Sequence, residues 1–203
     1  GKGAVFYRTE ETHARSLALD GNGNLIVGTD PGGLILRITP AGEGFVLHQA
    51  AKREITSVAV AQNGTVYAAA AGAKQPAVAP PPPLPKPPVS PAKPSVQQTT
   101  SQPPQQPTPP AVLPSVIPAA EGSELYRIDP DGYPRRVWNQ AKDLVYAIAF
   151  DPEGRLLVGT GNKGIVYRID SDHVFTALAS VQPTQVTALC TGQRGKVYAA
   201  TGN

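Results

Sequence analysis

An all-β chain of repeated four-stranded antiparallel units is what this sequence predicts, and three observations predict it. The first is a period. Ser16-Leu-Ala-Leu19 returns as Ser57-Val-Ala-Val60, and Ala147-Ile-Ala-Phe150 returns as Ala188-Leu-Cys-Thr191, each time at an offset of 41 residues. The second is a set of fixed landmarks. Gly23, Gly64, Gly154 and Gly195 hold one turn position in all four copies, and Arg37, Arg127 and Arg168 keep the same register. The step from the second copy to the third is 90 residues, one period plus an insertion of 49. The third is strand chemistry. Leu25-Ile-Val27, Val66-Tyr67, Leu156-Leu-Val158 and Val197-Tyr198 sit in β-branched or aromatic runs bounded by Gly, Asn and Asp. No stretch outside the insertion sustains a helical apolar period. A period of about 40–45 residues holding four short strands is that of a β-propeller blade. The near-continuous apolar runs suit strands buried on both faces, as when blades stack. The fold class expected is therefore all-β: a partial β-propeller of four-stranded antiparallel blades, about four blades' worth, with a long disordered Pro-rich loop insertion.

Taken in order, residues 1–13 are expected to be the last strand (d) of a preceding blade, because Gly3-Ala-Val-Phe-Tyr-Arg8 aligns with Gly44-Phe-Val-Leu-His-Gln49 at the same offset of 41. Blade 1 spans 14–54, with strand a at Arg15–Asp20, b at Asn24–Thr29, c at Gly33–Ile38 and d at Gly44–Gln49. Its a–b turn, Asp20-Gly-Asn-Gly23, is hairpin chemistry, in which glycine supplies the positive φ of a short loop. The same residues begin like a calcium loop, but the twelfth position, which needs a bidentate Glu, is Pro31. Blade 2 spans 55–144 and is interrupted by the insertion, 73–121. From Gln75 to Pro118, 17 of 44 residues are Pro, and the only charges are Lys86 and Lys93. Such a stretch can neither join a sheet nor bury a core, so an extended, polyproline-like, disordered excursion between strands b and c is expected. The blade resumes at Glu124-Leu-Tyr-Arg-Ile128. Blade 3, 145–185, is the cleanest copy, and 186–203 is the first half of blade 4. The chain has no Met and opens in mid-blade, so a segment of a longer protein is expected.

Composition removes several function classes. The formal charge is +3, and two of those charges are the insertion's lysines. No stripe of Lys and Arg interleaved with aromatics marks nucleic-acid binding. No apolar run approaches the ~20 residues of a membrane-spanning helix. The lone Cys190 cannot form an internal disulfide, and its strand position reads as a small buried residue.

Two stretches carry a family likeness. Leu156-Leu-Val-Gly-Thr160 followed by Gly164-Ile-Val-Tyr-Arg-Ile-Asp170 resembles the propeller repeat of periplasmic two-component sensor proteins. Leu17-Ala-Leu-Asp20 with Gly23-Asn-Leu-Ile-Val27 equally resembles NHL-type and gluconolactonase-like blades. The resemblance covers the chain apart from the insertion, and it implies a periplasmic or extracellular location. Gluconolactonase-like enzymes hold a metal in the central channel with a Glu, an Asn and an Asp. Those residues find no one-to-one match here, so the resemblance assigns neither metal nor cofactor.

No catalytic motif is present: no Gly-x-Ser-x-Gly elbow, phosphate loop, Cys-x-x-Cys pair or His-Glu-x-x-His helix. His13, His48 and His173 occupy different blade positions and read as solvated or packing residues rather than zinc ligands. Arg37, Arg127 and Arg168 could form an anion ring. The structural reading is preferred, because guanidinium forks suit carboxylates and carbonyls at repeated blade-to-blade seams. Asp20 and Asp151 both follow strand a, where local turn hydrogen bonds are their ordinary use.

The candidate binding surface is a face. In an antiparallel blade the b–c and d–a connections emerge on one side, and loops on a rigid scaffold are where binding lives. That side carries His13, Asp30, Lys52, Arg53, Lys142, Asp143, Asn162 and Lys163, together with the Pro-rich loop. Within the loop, Pro85-Lys-Pro-Pro88 has the P-x-x-P form of a polyproline ligand, and a solvated spacer is the plainer alternative. Three functions stay open: a non-enzymatic binding or sensor module for a protein or small ligand, a metal-dependent lactonase- or lyase-like enzyme, and a structural repeat of a larger exported protein.

Overall fold

A computed structural model describes residues 1–74 and 122–203. The disordered loop expected of the insertion, and the P-x-x-P segment, lie outside the described residues. The described chain is all-β, a partial propeller of three four-stranded antiparallel sheets followed by one two-stranded sheet. Blade 1 is β1 (His13–Leu19), β2 (Leu25–Asp30), β3 (Leu34–Ile38) and β4 (Gly44–Gln49). Blade 2 is β5 (Lys52–Val60), β6 (Val66–Lys74), β7 (Ser123–Ile128) and β8 (Pro134–Gln140). Blade 3 is β9 (Val145–Phe150), β10 (Leu156–Thr160), β11 (Ile165–Ser171) and β12 (Val174–Ser180). β13 (Gln185–Thr191) and β14 (Val197–Gly202) close the chain, separated by a single 3-10 turn at Gln193–Gly195.

Each sheet is a meander in chain order, so consecutive strands pair, through short connections everywhere except between β6 and β7, where the long insertion intervenes. The a–b turns close on glycine: φ is +79° at Gly23, +84° at Gly64, +78° at Gly154 and +73° at Gly195. In blades 1 to 3 strand b is largely buried, most fully in β10, where all five residues are interior, whereas β14 is exposed along nearly its whole length. The burial of β10 explains why the sequence there lacks alternation.

The blades are held face to face by two apolar clusters. Ile26, Ile35, Ile55, Val58, Val66 and Tyr126 join blades 1 and 2. Leu125, Val137, Trp138, Val145, Leu156 and Tyr167 join blades 2 and 3. An aromatic contact recurs at both seams. His48 of β4 packs on Tyr126 with ring centroids 4.9 Å apart, and Trp138 of β8 packs on Tyr167 at 5.9 Å. His48 and Trp138 are 90 residues apart, and Tyr126 and Tyr167 are 41 apart, so both pairs follow the repeat. Strands a are also stitched across the seams. The Ser16 hydroxyl donates to the Ile55 carbonyl at 3.4 Å, and that of Thr56 donates to the Val145 carbonyl at 2.7 Å. The Thr191 hydroxyl donates to the Phe150 carbonyl. Close approach is permitted by small residues on strand b. A Cβ at Gly28 would overlap Ile55 Cγ2, and one at Gly159 would lie 2.7 Å from Val186 Cγ1.

Several expectations are corrected. Residues 1–9 form no strand. Among the described residues Gly3–Arg8 pairs with no neighbouring strand, and a strand needs a partner to satisfy its backbone. Its apolar side chains instead line blade 1's outer face, where Val5, Phe6 and Tyr7 meet Leu17, Val27 and Leu36. β6 continues through Lys74, which moves the start of the insertion past residue 73. β5 begins at Lys52, which puts Lys52 and Arg53 inside a strand rather than in a d–a connection. His13 likewise opens β1. Cys190, expected to be buried, is exposed on the two-stranded sheet of β13 and β14.

Candidate functional site

On the side of the b–c and d–a connections, blades 1 and 2 build a charged cluster. His13 and Asp30 are cross-strand partners in the β1–β2 register, which sets their side chains together. His13 Nδ1 lies 3.2 Å from Asp30 Oδ2, and Arg53 Nε of the next blade lies 3.4 Å from Asp30 Oδ1. Beside them Arg15 pairs with Glu54 at 2.7 Å, again from one blade to the next. The cationic side chains are half in solvent, His13 at 58% and Arg53 at 54%, while Asp30 is 20% exposed. The blade 1 connection is itself fixed. Glu11 accepts the Gly32 N–H and the Thr29 hydroxyl, and Thr29 accepts the Leu34 N–H at 3.0 Å.

The other candidates divide. Lys52 is buried at the root of the long b–c connection, in a cavity of about 270 Å³ with Ser123, Glu124 and Asn139. Glu124 is buried there too, accepting from the Tyr126 hydroxyl at 2.6 Å and from Arg136 at 3.1 Å. Burial, reinforced by the bond to Glu124, pushes the Tyr126 phenol up to about 12, so it remains a donor. Asp143 is interior rather than a surface group, and accepts from the Tyr167 hydroxyl at 3.2 Å. Burial, with the Asp143 charge adding to it, raises the Tyr167 phenol as well. Lys142, Asn162 and Lys163 remain exposed on the blade 3 loops, where the Asn162 amide donates to the Lys142 carbonyl at 2.6 Å. They do not join the His13–Asp30–Arg53 cluster in any recorded hydrogen bond or ion pair among the described residues.

The recurrent arginines do not bridge blades, a correction to the seam expectation. Arg127 Nε donates to Asp129 at 2.7 Å, and Asp129 also takes Arg135 of β8 at 2.7 Å. Arg168 donates to Asp170 at 2.6 Å, and Asp170 takes the Thr176 hydroxyl at 2.7 Å. Each clamp therefore ties strand c to strand d within a single blade. A seam ion pair does exist, but it comes from Arg135, 3.4 Å from Asp172. Asp20 and Asp151 serve their own turns. Desolvation opposes ionisation at both, but N–H donors from Asn24 and Asn22 hold Asp20 below its usual value. The Arg155 backbone and guanidinium do the same for Asp151. The aromatic seam partners His48 and Trp138 were readable from the same offset arithmetic that found the arginines, as an aromatic column on strand d.

Among the described residues, no group of three or more His, Cys, Asp and Glu converges to hold a metal ion. No helix of the described residues is long and apolar enough to cross a membrane.

Comparison with known proteins supports the fold independently. The virginiamycin B lyase of Staphylococcus aureus superposes with a TM-score of 0.61 at 11% identity, over 94% of this chain and 49% of that one. A gluconolactonase from Xanthomonas campestris gives 0.57 at 16% identity, over 92% and 55%. The extracellular domain assigned to a hybrid two-component system of Bacteroides thetaiotaomicron gives 0.57 at 13% identity, over 93% and 20%. These are the propeller types that the blade sequences resemble. The chain spans about half the length of the lyase and the gluconolactonase. No protein-family model matches the sequence, and no curated protein does. Enzymes and sensor domains share this architecture, so likeness at such identities speaks to fold alone.

Proposed function

We propose that this chain is a binding module of the sensor or scaffold type, with its b–c/d–a side as the docking surface for a protein or small ligand. The observation that supports this reading is the His13–Asp30–Arg53 cluster with its neighbouring Arg15–Glu54 pair. Half-exposed charged side chains from two blades meet there on rigid strand ends, on the side where the long Pro-rich connection leaves β6 and returns to β7. Pre-positioned polar groups on strands lose little freedom on binding. A lactonase- or lyase-like enzyme is the second reading, supported by the fold shared with the two enzymes above.

The test is a ¹H–¹⁵N titration of the full chain against a panel of charged peptides and small anions, with a parallel assay of lactone hydrolysis with and without divalent metal. Saturable shifts at His13, Arg15 and Arg53 that vanish in Asp30→Ala are expected. Metal-dependent turnover of a lactone, with no shifts on this face, would replace the reading with the enzymatic one.

A further inference from the structure

The opposite side, where the a–b turns emerge, carries a different site. Arg37 occupies the strand c position of Arg127 and Arg168, but the residue two places on is Thr39, where the other blades have Asp129 and Asp170. The Thr39 hydroxyl is turned to its own c–d turn, accepting the Glu43 N–H at 3.2 Å. Arg37 Nε is consequently shielded from solvent with no hydrogen-bond partner. Arg37 as a whole is half-buried, but a shielded N–H without a partner carries a desolvation cost, and most such groups in native proteins are paired. The guanidinium lines a cavity of about 370 Å³ between the a–b turns of blades 1 and 2, with Asp20, Asn22, Asn24, Gln62 and Asn63. That volume is in the range of small-molecule sites.

We propose that this cavity binds a small monocarboxylate, with Arg37 as the anchoring cation. The ligand carboxylate supplies the negative charge that Asp129 and Asp170 supply to the corresponding guanidinium groups of the other two blades. Asn22, Gln62 and Asn63 bring amide groups to the rim. Asp20 sets the charge limit. Its Oδ1 accepts the Asn22 and Asn24 N–H groups at 2.9 Å each, and its Oδ2 accepts the Asn24 side-chain amide at 2.8 Å. Three donors engage that carboxylate, and the Arg37 charge acts on Asp20 through space, helping to hold it ionised, with no hydrogen bond between the two side chains. A ligand with a second negative charge would meet Asp20 and be repelled. The site is independent of the docking surface proposed above, since it lies among the other set of connections and shares none of its residues.

The experiment titrates the full ¹⁵N-labelled chain with glycerate, and separately with inorganic phosphate, at matched ionic strength. The signals followed are Arg37 Nε and the side-chain amides of Asn22, Gln62 and Asn63. Saturable shifts with glycerate are expected. In Thr39→Asp, which keeps Arg37 but supplies the clamp found twice elsewhere in the molecule, affinity should fall about tenfold or more, the scale of one charge-assisted pair. Arg37→Gln should behave alike. The proposal is overturned if glycerate shifts none of these signals, if Thr39→Asp binds it as wild type does, or if phosphate binds as tightly as glycerate.

Discussion

The seam between blades 1 and 2 and the seam between blades 2 and 3 are one contact built from two chemistries. At the second, Trp138 is 1% exposed against Tyr167, and Phe175 closes the group edge-on at 5.5 Å from Tyr167. At the first, the same register position is His48, half-buried against Tyr126, with Glu124 bound to that tyrosine's hydroxyl. The repeat thus specifies where a flat ring must lie and leaves its polarity free. Both tyrosine hydroxyls bind a buried carboxylate, Glu124 at the first seam and Asp143 at the second, so the difference lies in the facing ring: an imidazole at one and an indole, which takes up no proton, at the other.

Four experiments would break or sharpen this contrast. The largest effect belongs to Trp138→Ala, which empties the second seam. Truncating a fully buried aromatic costs about 3–5 kcal/mol, read by urea denaturation. A loss under about 1 kcal/mol would mean that the second seam does not carry the stability its burial implies. Next is Gly28→Ala, which drives a methyl into Ile55 at the first seam and should cost about 1–3 kcal/mol. Adding Ser16→Ala, which removes the hydroxyl oxygen 2.6 Å from that methyl, should recover part of that loss, and no recovery would mean that Ile55 alone sets the strain. Smaller is Asp129→Asn, which weakens the Arg127–Asp129–Arg135 clamp. Its members are partly solvated, so about 1 kcal/mol is expected. Thr39→Asp should move stability the other way by a few tenths of that, and a drop would show that blade 1 has no room for the clamp.

The smallest effect separates the seams by pH. Burial lowers the His48 pKa in the folded chain. The unfolded chain therefore binds the proton first, near the ordinary histidine value of about 6.5. Stability is full above that pH and is lost as pH falls through the lower folded value. His48→Phe should remove this step from a series of urea curves, since the second seam has an indole in place of the imidazole. If the step persists, the contrast between the joints is wrong. The lowered Asp129, Asp151 and Asp170 act in a separate, more acidic window, where stability is lost as pH falls below about 3.9 toward their folded values.

Local chemistry made much of this fold legible. Gly23 and Gly154 mark hairpins because a positive φ is a property of the turn itself, and the doubly buried b strands announce themselves by unbroken apolar runs. What could not be read depends on neighbours brought from afar. Gly3–Arg8 has the pattern of a strand, but pairing is decided by a partner strand and not by pattern. Lys52 and Asp143 are charged residues next to connections, where exposure is the natural expectation. Both are interior: Asp143 accepts from the Tyr167 hydroxyl, and Lys52 lines a cavity with the buried Glu124. The arginine clamp was visible in part. Asp129 and Asp170 follow their arginines by two residues, and the absence of an acid at Thr39 was already in the sequence. Its consequence for Arg37 needed the cavity.

The pairing of β6 with β7 has a practical consequence. Ala70 faces Glu124 across the ladder, and Tyr67 faces Arg127, so the two strand ends that carry the long connection are held side by side by blade 2 itself. Closure cost grows only logarithmically, with each doubling of a loop adding about 0.6 kcal/mol. The blade therefore offers a socket that is nearly indifferent to the length of its cargo. Exchanging the Pro-rich segment for a reporter peptide, or nicking it with a protease, should leave both halves of the blade joined through their ladder, and makes this position the natural place to graft foreign sequence.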